Sequence, residues 1–538
     1  MKKYSSRYLL TGLIIAWAVD LLFFNKPFGV AFSVWISLAL LLLFILGFIE
    51  KVKPAGQTIF LALLSFLFSL GAFFRLEPLT RFLSSSASFL LLMLTAATYR
   101  HGYWWWFRIV DYVSQLLKLF AAAFTQAWEL VFPSKDTQVS EKTDSQLEKA
   151  SKTGKPIWSI VRGIALALPV ILILSALLAS ADPIFNQGMQ KFLELFKIEN
   201  LAEYLFRFFY ILLFAYLFSG VLLYALNPPG KQQKPDPNKP FIKTFLGNTE
   251  TSVVLAMVNI LFLVFLIVQF RYFFGGQSNI SATGFTYSEY ARKGFNELVM
   301  VAVISVLLYL ALNTITTRKS SGQTRLFSWL AGLLFIQVLV ILFSGFQRLA
   351  LYEAAYGFSR LRTYSTLFIP WLAALILALI ILEIIQRQSR VALVLLFGAV
   401  GFVATLVFVN VDGFIAGKNI ERATLSSQEG YALDYNYLLQ LSNDALPVIL
   451  RASQSSNPVI AEPSTASLVC RWHQFSRQEK VSWQGFNYSD HKAFSLLAAR
   501  QTTWQKYTVI DPGGYNPLYV KIGTKTYSCS PDNSDWLD

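Results

Sequence analysis

The sequence predicts an all-α polytopic membrane bundle of about 11 transmembrane helices, N-terminus inside and C-terminus outside, carrying a small mixed α/β extracytoplasmic C-terminal domain. Three observations predict it. Hydrophobic residues make up 55% of the 538-residue chain and charged residues only 14%, where soluble domains carry about 25% charged residues. Apolar runs of about 20 residues, long enough to cross a ~30 Å hydrocarbon core, fill the first three quarters of the chain. The strong charges fall between those runs. A segment in lipid must satisfy its own backbone hydrogen bonds, so each run is a helix. The net charge of +15 is scattered beside apolar spans and forms no basic stripe, which argues against a nucleic-acid partner.

The runs place helices near 8–24, 29–49, 58–76, 79–99, 157–179, 203–226, 251–271, 296–314, 326–346, 364–385 and 391–410. An odd number puts the termini on opposite sides. With the N-terminus inside, the inner segments hold 23 Lys and Arg and the outer loops between helices hold 12, the other 11 lying after 410. That asymmetry is the positive-inside pattern. The chain then divides into a four-helix membrane segment (1–100), an inner interfacial helix with a linker (101–156), a seven-helix core (157–410) and an outer domain (411–538). A cleavable leader ending near Ala16-Trp17-Ala18 fits poorly, because the apolar run continues through Phe24.

From 101 to 132 the chain mixes Trp104, Trp105, Trp106 and Trp128 with Arg108, Asp111, Gln115 and Lys118. Aromatic rings prefer the headgroup level, so this segment is predicted to lie on the inner leaflet. Residues 133–156 and 231–240 read as flexible inner loops, and 186–201 as a short amphipathic helix on the outer surface. After 410, helices are predicted over 417–453 and a linker at 455–465, around Pro458 and Pro463. A further helix is capped by Ser489 or Asp490 and runs to about Gln501, and strands are predicted at 507–510 and 518–522. Both cysteines, Cys470 and Cys529, fall in this outer region, which suits a disulfide formed in an oxidising compartment; two unpaired buried thiols are the alternative.

No catalytic signature is present. The three histidines (His101, His473 and His491) make no zinc motif, and there is no nucleophile elbow or phosphate loop. The expectation is therefore a protein that is not an enzyme and needs no metal or cofactor. What stands out is a polar constellation at the outer ends of four helices: Arg271, Tyr287, Tyr290, Arg292, Glu297, Arg348, Tyr352 and Arg360. Glu289 with Arg292 and Lys293 with Glu297 have the spacing of helical ion pairs. The plain reading is a set of anchors and salt bridges that stitch the bundle together; the sharper reading is a basic, aromatic-walled pocket for an anionic lipid headgroup. Asp20, Arg75 beside Glu77, and Glu383 are charges near membrane depth. Such charges cost at least ~2.5 kcal/mol in hydrocarbon, so each needs a partner or a path to an interface.

Several strings at the outer side resemble a known family. They are Ser180-Ala-Asp-Pro-Ile-Phe185, Gln269-Phe-Arg-Tyr-Phe-Phe-Gly-Gly276, Tyr287-Ser-Glu-Tyr-Ala-Arg-Lys-Gly-Phe-Asn-Glu-Leu298, Arg348-Leu-Ala-Leu-Tyr352, Tyr356-Gly-Phe-Ser-Arg360, Asp434-Tyr-Asn-Tyr-Leu438, Leu441-Ser-Asn-Asp-Ala-Leu-Pro447 and Trp483-Gln-Gly-Phe-Asn487. Together, over about 155–500, they are similar to a bacterial multi-pass membrane family of unknown function, the domain-of-unknown-function family numbered 4173 and its relative 4153. The resemblance implies an inner-membrane location and no defined activity.

The sequence is compatible with three functions. The first is an envelope protein that binds or moves an anionic lipid or small solute, clamped by Arg271, Arg292, Arg348 and Arg360, whose forks suit phosphate. The second is a sensor or assembly partner that signals through the inner aromatic helix. The third, a transferase using Glu297, Glu353 or Asp182 as base, has no paired-carboxylate motif behind it.

Overall fold

The computed structural model describes residues 5–131, 201–229, 244–273, 294–425, 433–477, 482–513 and 517–530, with isolated positions at 167, 174, 178, 182, 185 and 234. Apart from those isolated positions and residue 201, the span expected at 157–179, the helix at 186–201 and the loops at 133–156 and 231–240 lie outside the described residues. Ten described helices are long and apolar enough to cross a membrane. They are α1 (Ser5–Phe23), α2 (Val30–Ile49), α3 (Gly56–Phe74), α4 (Pro78–Thr98), α6 (Leu201–Leu226), α7 (Asn248–Phe273), α8 (Phe295–Ile315), α9 (Ser321–Tyr356), α10 (Arg360–Ile384) and α11 (Val391–Val409). Between α4 and α6 stand a 3₁₀ turn, Tyr103–Trp106, and α5 (Ile109–Val131).

Apolar side chains gain little by leaving lipid for a helix interface, so close packing and hydrogen bonds join these helices. The α3–α4 seam shows both. Ser65 and Ser88 donate to each other's carbonyls at 2.8 and 2.7 Å, and Thr58 donates to Thr98 O at 2.8 Å. Along α1 and α6, Gly12 lies so close to Ala215 O that an added Cβ would come within 2.7 Å of it. A second lobe is formed by α7–α10, around Tyr309, Phe327, Phe335 and Leu334. Helix α11 joins the two lobes, and its Thr405 hydroxyl accepts from Trp371 Nε1 of α10 at 3.0 Å.

Helix α5 departs from expectation. It runs antiparallel along α6: Tyr224 donates to Gln115 Oε1 at 3.2 Å, and Tyr216 donates to Phe124 O at 2.6 Å. At Gly220 an added Cβ would sit 2.5 Å from Ala123 O. A helix paired lengthwise with an apolar span shares that span's direction, so the reading of a helix lying flat on the inner leaflet gives way to one standing beside α6.

The C-terminal region holds α12 (Val411–Leu425), α13 (Tyr435–Gln440), α14 (Leu446–Ala452), α15 (Pro458–Arg477), α16 (Tyr488–Ala498), α17 (Gln501–Trp504) and a three-stranded antiparallel sheet in the order β1 (Val509–Ile510), β2 (Tyr519–Ile522), β3 (Lys525–Ser528). The predicted linker at 455–465 is instead largely the start of α15. Pro458 opens that helix, where a missing N–H costs nothing, and Asn457 Oδ1 accepts from Val459 N at 3.0 Å. The cap of α16 is Asn487, which accepts from the N–H groups of Ser489 and Asp490, rather than either of those residues. Strand β3 lacks apolar alternation; it pairs with β2 through a turn at Gly523, whose φ of +61° suits glycine. Cys470 and Cys529 are disulfide-bonded, their Cα atoms 5.3 Å apart, and this staples the sheet to α15.

This domain docks on one end of the bundle. Val30 N donates to Phe486 O at 2.9 Å, Asn487 Nδ2 to Ala72 O at 3.1 Å and Ser489 Oγ to Phe74 O at 2.8 Å. All three contacts are at the α1–α2 and α3–α4 turns. The start of α1 lies at the other end, where Tyr8 OH accepts from Asn227 at 3.0 Å.

Gly220→Val should lower the thermal midpoint of the detergent-solubilised protein by several degrees, the equivalent of about 2–3 kcal/mol of overpacking. Gly332→Ala, which has nothing within 4 Å, should not. A Cys470→Ser, Cys529→Ser pair opens a 59-residue separation and should cost about 4 kcal/mol by the loop-closure account, read as faster proteolysis after α15.

Candidate functional site

Charges at the docked end are organised by carboxylates that the domain lowers onto the bundle. Asp412, at the start of α12, is 0% exposed. It receives both arms of Arg360, Nε to Oδ1 at 2.9 Å and Nη2 to Oδ2 at 2.7 Å, along with Ser442 N at 2.6 Å. Arg360 Nη2 also donates to Gln440 O, and its backbone N–H goes to Tyr437 OH. Asp444 accepts from the N–H groups of Leu76 and Glu77 at 2.8 and 3.1 Å. Burial pushes its carboxyl above the usual range, against these bonds and Arg75. Glu77 caps α4 and accepts from Leu79 N, Thr80 N and Tyr364 OH. Arg471 on α15 is buried beneath this cluster and donates to Leu441 O and Asn443 Oδ1, each at 2.7 Å; burial lowers it to about 10.

Against this frame the expected clamp divides. Arg360 has its fork filled by Asp412 and serves the domain junction instead of a ligand. Arg348 is 7% exposed and faces a different helix, donating to Gln269 Oε1 of α7 at 2.9 Å. Its guanidinium occupies the space that a Cβ at Gly294 would need. Gly294 therefore makes room for an arginine of α9. Tyr352 stacks on Arg362, whose Cζ lies 4.0 Å from the ring centroid. Glu297 is exposed on α8. Tyr287, Tyr290, Arg292, Glu289 and Lys293 lie outside the described residues, as does the side chain of Arg271. Glu353, named above as a possible base, accepts from Thr366 Oγ1 at 2.7 Å.

The charges near membrane depth have partners. Asp20 holds Arg207 of α6 in a two-armed pair at 2.9 and 2.6 Å and accepts from Tyr210 OH. Arg75 donates to Val407 O at 2.7 Å and Phe408 O at 3.3 Å, placing a cation on the last-turn carbonyls of α11. Glu383 accepts from Tyr309 OH, from Ser328 Oγ at 2.6 Å and from Gln388 Nε2 at 2.9 Å. Among the described residues no three His, Cys, Asp or Glu side chains gather closely enough to hold a metal ion.

A concave site opens beside the cluster, a cavity of about 340 Å³ lined by Tyr356, Arg362, Asn419, Arg422, Tyr437 and Gln440, among others. Arg362 donates to Gly357 O at 2.7 Å and to Tyr352 OH at 3.0 Å. Arg422 donates to Ala354 O at 3.0 Å and Ala355 O at 2.5 Å. These oxygens fix each guanidinium in place, and those that hold Arg362 are neutral. Arg207, Asp412, Arg422 and Asp444 went unrecognised in the sequence. Arg207 and Asp412 lie within a turn or two of a span end, and Asp444 falls inside the Leu441–Pro447 string; neither signal names a partner.

A family model described as Domain of unknown function (DUF4153) matches residues 62–452. The chain belongs to this family. No curated protein and no solved structure matches it. The DUF4153 region begins inside α3, where no motif was recognised, and ends with α14. It contains Arg75, Glu77, Arg360, Asp412 and Asp444, and excludes both cysteines. The motifs suggested family 4173 first and 4153 as its relative; the match is to 4153.

Arg360→Ala and Asp412→Ala should each cost about 3–5 kcal/mol, because either leaves a desolvated charge behind. Arg360→Met combined with Asp412→Leu should cost less than the two single changes summed, measured by thermal unfolding in detergent.

Proposed function

We propose that this DUF4153 protein is a non-enzymatic, multi-pass protein of the bacterial cytoplasmic membrane that binds an anionic lipid headgroup or small anionic solute at its outer face. The N-terminus is then inside and the C-terminal domain outside, where the oxidising compartment accounts for the disulfide. The observation that carries the reading is the cavity of about 340 Å³ between the α9–α10 turn and α12–α13, with Arg362 and Arg422 held in its wall. A guanidinium presents planar paired donors to a phosphate or carboxylate. Tyr356, Tyr437, Asn419 and Gln440 add neutral polar partners around it. This moves the binding site from the arginines first expected to their neighbours, because Arg360 is spent on Asp412.

The alternative, a sensor signalling through the inner aromatic helix, needs that helix free for a partner. Leu119, Ala122, Ala123 and Ala127 of α5 are instead buried in the bundle, which favours the binding reading.

Arg362→Gln should reduce co-purified anionic lipid or bound anion by about tenfold, the effect of losing one charge-assisted hydrogen bond. Native mass spectrometry of the protein from nanodiscs reads it; unchanged occupancy for Arg362→Gln and Arg422→Gln alike would remove the proposal.

A further inference from the structure

Another cavity lies at the opposite end. It measures about 450 Å³ and sits between the end of α4, the Trp-rich turn, α5 and α6, within the range of small-molecule sites. Its wall on α5 is formed by Gln115, Lys118, Ala122, Thr125 and Gln126, positions that share one face of a helix. Thr98, His101, Tyr103 and Tyr224 close it from the other elements. Helix α5 thus turns polar groups inward, onto a cavity, while Leu119, Phe120, Ala123 and Phe124 on its adjacent face line a separate, wholly apolar cleft. This arrangement explains why a helix packed against a membrane span carries Gln115, Lys118 and Gln126 at all.

One group in the wall points to an occupant. Gln126 is only 6% exposed, and its Oε1 has no hydrogen-bond partner among the described residues. A buried acceptor left unmatched costs about 1–3 kcal/mol, so a built site would supply it with a donor. Lys118, exposed at the edge of the same cavity, supplies a cation that an anion in the cavity can reach. Burial holds His101 below the usual imidazole range, which leaves Lys118 as the charge in the wall. A fully ionised phosphate offers only acceptors, so it can take Lys118 and the Gln126 Nε2 donors but supplies nothing to Gln126 Oε1. A phosphate that also bears a hydroxyl satisfies both.

We infer that this cavity is a binding site for a hydroxylated phosphate, with Lys118 taking the phosphate and Gln126 Oε1 accepting from the hydroxyl. Glycerol phosphate has this chemistry as a free solute, and phosphatidylglycerol has it as a headgroup. For the lipid, the apolar cleft on the next face of α5 offers a place for an acyl chain.

The test uses the full-length protein. Equilibrium dialysis with glycerol 3-phosphate in detergent probes the solute, and native mass spectrometry from nanodiscs holding phosphatidylglycerol or phosphatidic acid in phosphatidylcholine probes the lipid. Saturable binding in the first arm assigns the solute, and selective retention of phosphatidylglycerol in the second assigns the headgroup. In whichever arm binds, Lys118→Gln should weaken binding about 10- to 100-fold, the range for a hydrogen bond to a charged group, and Lys118→Arg should restore most of it. Gln126→Leu should erase the preference for the hydroxylated ligand over methyl phosphate or phosphatidic acid, a selectivity change that simple loss of packing would not produce. Lys506→Gln, a charge removed from the exposed surface of the C-terminal domain, is the control and should change nothing. The inference fails if neither ligand binds saturably. It fails equally if Lys118→Gln and Gln126→Leu, folded by circular dichroism, bind as the unaltered protein does; if Lys118→Gln does not fold, Gln126→Leu decides alone.

Discussion

Hydrocarbon neither hydrogen-bonds nor solvates charge, and the placement of polar groups in this protein follows from that constraint. Asp20, Glu77, Asp412, Asp444 and Glu383 are each almost wholly withdrawn from solvent, and each is met by an arginine, by backbone N–H groups or by hydroxyls. The partner comes from another helix in most of these cases. A charge that must be matched therefore also specifies which helices are neighbours. Hydrophobic contact alone specifies this poorly in lipid, since every apolar face is content against acyl chains.

The same constraint joins the C-terminal region to the bundle. Asp412 and Asp444 reach into the ends of the membrane helices, and Asn487 and Ser489 collect carbonyls freed where α3 ends. Helix termini leave carbonyls and N–H groups without intrahelical partners, and near an interface those groups are expensive to abandon. The C-terminal domain acts as a cap shared by several helices. The DUF4153 match stops at 452, so it takes in the carboxylates of this junction, and it leaves the disulfide-stapled part outside.

The two ends of the molecule are built differently. At the docked end, arginines are fixed by carbonyls and aromatic rings around a shallow polar cavity. At the other, an amphipathic helix is drawn into the bundle and turns its polar face onto a larger one. Membrane proteins tolerate polar side chains at depth where they line a cavity or meet one another, and α5 is a case of the first kind.

How much of this was legible depended on whether the signal was local. Spans were readable because about 20 consecutive apolar residues admit one solution in lipid, and 507–510 and 518–522 carried enough β-branched and aromatic content to be read as strands. Position 458 was misread because a proline that begins a helix looks, in isolation, like one that prevents it. Helix α5 was misplaced for a related reason: alternating charge and aromatic residues suit both a headgroup layer and a buried polar cavity, and only the packing of Gly220 against Ala123 separates the two. Chain chemistry alone determined that this protein lives in a bilayer and that its charged residues near the membrane needed partners. Folding in three dimensions decided which partners, because Arg360 with Asp412 and Asp20 with Arg207 meet across separations of 52 and 187 residues, distances over which a linear pattern carries no information about contact.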